Sequence, residues 1–280
     1  MKNIITIGNI RDFEMHLRDE ERSENTVEKY LRDVRAFAVY SNGKKLTKSD
    51  VLEYKRLLCE SYAPRSVNSM ISSLNAFFSF MGRHDLKVRT IKIQRQIFAD
   101  RCREFTKTEY ARMLSAAKKS GNSRMYYLMQ LIGSTGIRVS EIRYITCDAV
   151  NRGQATINCK GKIRKVFLTH QLCKMLKAYI RKQHIKNGPV FVSRSGQPLN
   201  RSNILKMLKA LCSLANVAKE KVFPHNFRHL FARTYYSVQK DIVRLADILG
   251  HSSINTTRIY TMESSTVYSR HISDLGLLRC

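Results

Sequence analysis

Apolar residues recur at helical spacing through most of this chain, and one stretch breaks that rhythm. In SENTVEKYLRDVRAFAVYSNG, Val27, Tyr30, Leu31, Val34, Phe37 and Ala38 fall on one helical face. Ser23 or Asn25 can cap its start, and Gly43 can end it. TKSDVLEYKRLL follows, with Thr47 as N-cap, Asp50 as its capping-box partner and Val51, Tyr54, Leu57 and Leu58 on the apolar side. Pro64 opens a third helix whose stripe is Val67, Met70, Ile71, Leu74, Phe77, Phe78 and Met81, ending at Gly82. A short leading helix over 10–17 makes four, enough for a compact bundle. The exception is 149–169, where β-branched residues flank Gly161 and predict a hairpin. Val190 to Val192 reads as one more short strand. Helices are expected again over FTKTEYARMLSAAKK, which Thr106 and Glu109 cap, and over 126–133, 201–214, 225–236, 241–249 and 254–260. The fold class is therefore mainly α with a small β-sheet.

Charge divides the chain as strongly as periodicity does. Fifty Lys and Arg face 22 Asp and Glu, a net +28. Residues 1–98 carry +6 of this and residues 99–280 carry +22. Such an excess repels itself unless a polyanion neutralises it, and DNA or RNA supplies phosphates for that purpose. A membrane is not expected as the target: no basic amphipathic helix has a tryptophan anchor, since the chain has no Trp. No apolar run reaches the eighteen or so residues of a membrane span, and charges interrupt the first twenty positions too early for a signal peptide. A cytoplasmic protein is the simple reading. Seven scattered cysteines without a CxxC spacing do not suggest a disulfide scaffold or a zinc site. The expected organisation is a helical domain at 1–90, a basic linker at 91–103 and a second domain at 104–280.

No nucleotide or metal motif is present, and acidic residues in the basic half are too sparse for a two-metal site. Phosphoryl chemistry would then rest on cations and a protein nucleophile. Four stretches offer the parts. In GSTGIRVSEI, Gly136 permits a tight turn and Arg138 stands near the start of the next helix, where its fork can grip a phosphate. In CKGKIRKVFL, Lys160 lies at the hairpin beside Gly161; the cations at 160, 162, 164 and 165 also suit a hairpin that merely faces DNA. In FPHNFRHLFA, Pro224 precedes a helix that carries His225 and Arg228 on one face, while His229 reads as a satisfied, partly buried histidine. In LADILGHSSINTTRIYT, a helix ends at Gly250, His251 follows, and a new helix bears Tyr260.

Taken in order, these stretches resemble the tyrosine recombinases, also called phage integrases, and in particular their shorter Xer-like members. STGIRVSEI resembles TG-x-R-x-x-E. HNFRHLFA resembles H-x-L-R-H-x-F-A, with Phe227 in place of Leu. LGHSSINTTRIYT resembles the family's LGH-S stretch followed by T-T-x-x-Y, and Cys159 stands where the family more often has Gly. The resemblance covers nearly the whole chain. It implies an N-terminal helical core-binding (SAM-like) domain and a tyrosine-recombinase catalytic domain, with no cofactor.

The resemblance also implies roles for the residues. Arg138 and Arg228 would clamp the scissile phosphate, and His225 would touch it and help remove the tyrosine proton. His251 would donate to a non-bridging oxygen, Lys160 would protonate the departing 5′-oxygen, and Tyr260 would attack to leave a 3′-phosphotyrosyl link. Glu141 would support the active-site arginine. The partners implied are double-stranded DNA at specific recombination sites and further copies of the chain, four on paired sites, with an accessory or directionality protein in some systems. The family tail after Tyr260, here anchored by Val267, Ile272, Leu275 and Leu278, packs on a neighbouring protomer. The activity would serve integration and excision of a mobile element or resolution of chromosome dimers. The rivals are a type IB topoisomerase-like enzyme and a DNA-binding protein that does not cut.

Overall fold

A computed structural model describes residues 4–93, 104–159, 162–193, 195–260 and 273–274. The chain divides into two compact units, Met1–Arg95 and Gln96–Cys280.

The first unit contains α1 (Ile7–Asp19), α2 (Glu24–Ser41), α3 (Lys48–Ser61) and α4 (Pro64–Phe80). The leading helix starts before the expected 10–17 because Thr6 and Asn9 form a capping box, and it runs on to Asp19. The Thr47–Asp50 box forms as predicted, and Pro64 occupies the first turn of α4. The core joins Val27, Leu31, Val34 and Phe37 of α2 to Ile71, Leu74, Phe77 and Phe78 of α4. One charge is buried there. The Asp33 carboxylate, 2% exposed, accepts from Lys29 Nζ at 2.8 Å and from the Ser73 hydroxyl at 2.9 Å. Its penalty on leaving water is thus offset by charge-assisted hydrogen bonds that tie α2 to α4.

The segment after α4 returns along that helix. Asn75 accepts from the Val88 N–H and donates to the Val88 carbonyl, at 3.0 and 2.8 Å. Asn68 does the same for Ile91, at 2.7 and 2.9 Å. Each side-chain amide imitates a strand partner and satisfies both polar groups of one backbone residue. Val88 is buried and Ile93 is exposed. Most of the expected linker at 91–103, from 94 onward, lies outside the described residues.

The second unit begins with α5 (Lys107–Lys119), capped by Thr106 and Glu109 as expected. Then come α6 (Ser123–Thr135), a 3-10 turn at Val139–Tyr144 and α7 (Cys147–Arg152). Strands β1 (Gln154–Cys159) and β2 (Lys162–Phe167) pair antiparallel, with Ala155 opposite Val166 and Ile157 opposite Arg164. This register turns Ala155, Ile157 and Val166 inward and leaves Ile163 and Phe167 about 70% exposed. Helices α8 (His170–Lys182), α9 (Arg201–Ala210), α10 (Cys212–Ala215), α11 (Pro224–Gln239), α12 (Ile242–Leu249) and α13 (Ile254–Thr257) follow, and a 3-10 turn, Arg258–Tyr260, comes next. The sequence reading missed α7 and α8, and its helix over 201–214 is broken at Leu211 into two. Its strand at Val190–Val192 does not form. Only single bridges occur there, Thr146 with Pro189 and Val192 with Pro198.

Helices α6 and α11 pack closely where α6 ends. Gly136 takes φ +62°, and a Cβ there would lie 2.4 Å from Phe231 Cδ1. Glycine is required by the left-handed turn and by the neighbour alike. On the core side of α11, Phe227 is fully buried with its ring 4.7 Å from that of Phe105.

Candidate active site

The site forms around the C-terminal end of α12. Gly250 closes that helix in a left-handed conformation, φ +64°. The last carbonyls of a helix lack intrahelical partners and carry the negative end of its dipole. Here three successive carbonyls each receive an arginine from a different element. Arg164 of β2 donates to Ile248 O at 2.7 Å, Arg228 of α11 to Leu249 O at 2.7 Å, and Arg138 to Gly250 O at 3.2 Å. These partners lie 21 to 112 residues apart in the chain. The turn thus gathers three cations that would otherwise repel one another.

Arg138 stands at the start of the 3-10 turn, not of an α-helix as predicted. Its backbone N–H is not free for a phosphate, because Glu141 Oε2 takes it at 2.9 Å. Glu141 is the acidic counterpart of the cluster. Its carboxylate, 4% exposed, pairs with Arg138 Nη1 at 3.0 Å and Arg164 Nη2 at 2.5 Å. Burial pushes its pKa up, but the hydrogen bonds from Arg164 and the Arg138 backbone outweigh this and hold it below the usual carboxylate range.

Arg228 is among the most buried side chains, 1% exposed, and no acid binds it directly among the described residues. Besides Leu249 O it donates to Gly136 O at 2.6 Å, and its Nη2 lies 3.0 Å from His251 Nε2. Burial, then Arg138, lower its pKa to about 10, still charged at neutral pH. Among the described residues, the buried Nε atoms of Arg228 and Arg164 have no hydrogen-bond partner.

His251 sits directly after the turn. Its Nδ1 is 2.8 Å from the Thr257 hydroxyl. Burial and then Arg228, Arg138 and Arg164 lower its pKa to about 4. Tyr260, 5% exposed, lies between two imidazoles. Its ring stacks on His251 at 6.1 Å and 18°, and meets His229 edge-on at 4.9 Å. His229, whose pKa burial and then His225 lower to about 4, lies in turn 4.9 Å from His225. The His225 ring is the exposed one of the three, with its pKa lowered by desolvation of its inner side and by Arg228, Arg138 and Arg201. Tyr235 and Tyr236 are packing aromatics, set against the small cluster that includes Tyr260.

Five of the six predicted residues, Arg138, His225, Arg228, His251 and Tyr260, are therefore brought together; Lys160 lies outside the described residues. Sequence reasoning did not assign three neighbours to the site: it read Arg164 as one cation of a DNA-facing hairpin and His229 as a partly buried histidine, and it did not single out Thr257. Arg164 is turned inward by the strand register, Thr257 is wholly buried against His251, and His229 touches Tyr260. Strand alternation from buried Val166 could have found the first.

Residues 103–266 match the model of the phage integrase family, and residues 10–85 match that of its N-terminal SAM-like domain. The chain belongs to the phage integrase family. It is an enzyme of the tyrosine recombinase type, which cleaves and rejoins DNA in site-specific recombination. This integrase-family chain is 27% identical to tyrosine recombinase XerD of Staphylococcus haemolyticus, over 87% of its own length and 90% of the relative's. It is 29% identical to the TnP I resolvase of Bacillus thuringiensis, with 90% and 94% covered. Its fold is similar to that of a lambda integrase tetramer bound to a Holliday junction, at TM-score 0.71 and 18% identity, covering 92% of this chain and 78% of that one. No helix among the described residues is long and apolar enough to cross a membrane.

Proposed function

We propose that this chain exchanges DNA strands through a 3′-phosphotyrosyl link on Tyr260, with Arg138, Lys160, His225, Arg228 and His251 as the rest of the machinery. One observation carries this reading: Arg138, Arg228 and His251 meet at one helix end, and Tyr260 lies against His251. The arginines neutralise charge on the phosphate oxygens as the pentacoordinate state forms. The tyrosine oxygen forms a bond to phosphorus while the 5′-oxygen leaves, protonated by Lys160. His225, the accessible imidazole, takes the tyrosine proton. One phosphodiester replaces another, so a 5′-hydroxyl of a second strand reverses the step.

In this reading residues 1–90 form a core-type DNA-binding domain, 104–280 form the catalytic domain, and 91–103 link them. Four copies assemble on paired sites through the tail after Tyr260, whose apolar anchors lie outside the described residues. The chain acts in the cytoplasm, on a mobile element or on chromosome dimers, with an accessory protein where direction must be set. The lambda integrase tetramer on a Holliday junction supports the fourfold assembly.

A duplex carrying the selected recombination site, nicked near the cleavage point, tests the chemistry. Covalent protein–DNA adduct is expected with EDTA present, mapped to Tyr260 and lost in Tyr260→Phe, with affinity nearly unchanged because binding rests on many phosphate contacts. An adduct on another residue overturns the assignment. Relaxation of supercoils without exchange between paired sites overturns the recombinase reading in favour of a topoisomerase.

A further inference from the structure

The hydrogen-bond chemistry around His251 has a conflict built into it. An arginine only donates. With Arg228 Nη2 at 3.0 Å, His251 Nε2 must therefore present its lone pair. The ring is then neutral with its proton on Nδ1, which donates to the Thr257 hydroxyl at 2.8 Å. Yet in the proposed function, on which this inference rests, His251 donates to a non-bridging phosphate oxygen, and with Nδ1 held by Thr257 the donor has to be Nε2. The free site holds the wrong tautomer for that task.

Adding a proton is an unfavourable way out. Arg228 and His225 of α11, Arg138 before the 3-10 turn and Arg164 of β2 all surround the ring, with Tyr260 stacked on it. Their charge opposes an imidazolium. A tautomer exchange avoids the added charge, but it needs a partner at Nδ1 that can both accept and donate. Among side chains a hydroxyl does this by rotation alone. Thr257 is fully buried, so water cannot easily stand in for it.

We infer that Thr257 is a positioning residue whose hydroxyl lets His251 exchange tautomers when a DNA phosphate arrives. In the free protein Thr257 accepts from Nδ1–H and Nε2 accepts from Arg228. When the phosphate takes over the Arg228 donor, Nδ1 gives up its proton, Nε2 gains one, and the Thr257 hydroxyl turns to donate to Nδ1. Both protons exchange with solvent as the half-buried His251 ring moves off Thr257 and returns, and the ring's net charge does not change. Arg228 and His251 thus satisfy each other until substrate separates them.

Nitrogen NMR of 15N-histidine-labelled protein reads this directly, with the His251 signals assigned through His251→Gln. In the free protein near neutral pH, Nδ1 is expected to be protonated and Nε2 to be of the lone-pair type. In Tyr260→Phe bound to a duplex bearing a site selected from a random-sequence pool, the two signals should exchange character. Thr257→Ser should behave as the native protein, because it keeps the hydroxyl and loses only a methyl. Thr257→Val keeps the volume but removes the hydrogen-bond partner of Nδ1, so the Nδ1 signal should move away from its native position and the exchange on binding DNA should be lost. A purely packing role predicts the opposite, with Val tolerated and Ser perturbed. A free His251 protonated on Nε2 or on both nitrogens overturns the inference, as does a bound spectrum without the exchange. The native and Ser proteins decide the matter even if the Val variant does not fold. The free-protein spectrum needs no DNA, so failure of the Tyr260 adduct is distinguishable from failure here.

Discussion

A methyl group on Gly250 would lie 2.3 Å from Cδ of Arg164. The glycine that ends α12 is thus fixed twice, by its φ of +64° and by an arginine stem laid across it. Gly250→Ala is expected to destabilise the second unit by about 2–4 kcal/mol, roughly 1 from the left-handed backbone and 1–3 from overpacking. Cleavage should fall further than stability alone dictates, because Arg164 must leave Ile248 O and Glu141. Thermal unfolding and single-turnover cleavage of the same preparation check both parts.

Glu141 balances two arginines from a buried position, so its removal leaves uncompensated charge. Glu141→Ala should cost about 3–5 kcal/mol, most of it through Arg164, since Arg138 is about a third exposed and water screens it. Its folded pKa is depressed, so its contribution is fully present above the unfolded value of about 4.3 and is lost as pH falls through the folded value. Acid unfolding of the native protein should therefore include a component below about pH 4 that the Ala variant lacks.

The histidines bend the pH dependence in another window. His229 and His251 titrate at about 4 in the folded protein, against roughly 6.5 in an unfolded chain. Between those values the unfolded state binds more protons, so stability falls as pH drops from about 6.5 to 4. Urea midpoints at several pH values should show this slope, and replacing either histidine with Gln should flatten it.

Phe227 occupies a position where the family resemblance leads one to expect Leu. It packs on Phe105 at 4.7 Å and Tyr110 at 6.0 Å. Phe227→Leu should cost less than about 1.5 kcal/mol, and Phe227→Ala about 3–5 kcal/mol, by denaturant unfolding.

Much of the fold was readable because its signals are local. The Thr47–Asp50 and Thr106–Glu109 boxes span three residues, and the β-branched run about Gly161 places the hairpin. Helix α8 was missed although Leu172, Cys173, Leu176 and Tyr179 mark its buried face, because its lysines and arginines dilute the stripe. The strand at Val190–Val192 failed for want of a partner; the Val190 N–H goes instead to Ile145 O. In the site, residue types and order were legible, but their hydrogen-bonding state was not. That Ile248, Leu249 and Gly250 carbonyls each hold an arginine depends on contacts across up to 112 residues. No spacing in the chain encodes them. Thr257 and His229 stayed unrecognised for the same reason: their importance lies in what the fold lays against them.

Arg228 separates charge from shape. Its two terminal nitrogens span Gly136 O at the end of α6 and Leu249 O at the end of α12, while one of them also meets His251. A lysine brings the same charge to a single point and cannot bridge two carbonyls on different helices. In Arg228→Lys one carbonyl is left buried without a donor, and the two helix ends lose their shared tie. DNA affinity should change little, since the remaining cations supply most phosphate contacts. Cleavage should slow by roughly 10²–10³-fold, the size of losing one oriented donor at a developing oxyanion. Single-turnover cleavage beside a binding isotherm makes the comparison. A lysine variant that cleaves at the native rate would mean that charge alone suffices at this position, and that the fork across the two helix ends is structural.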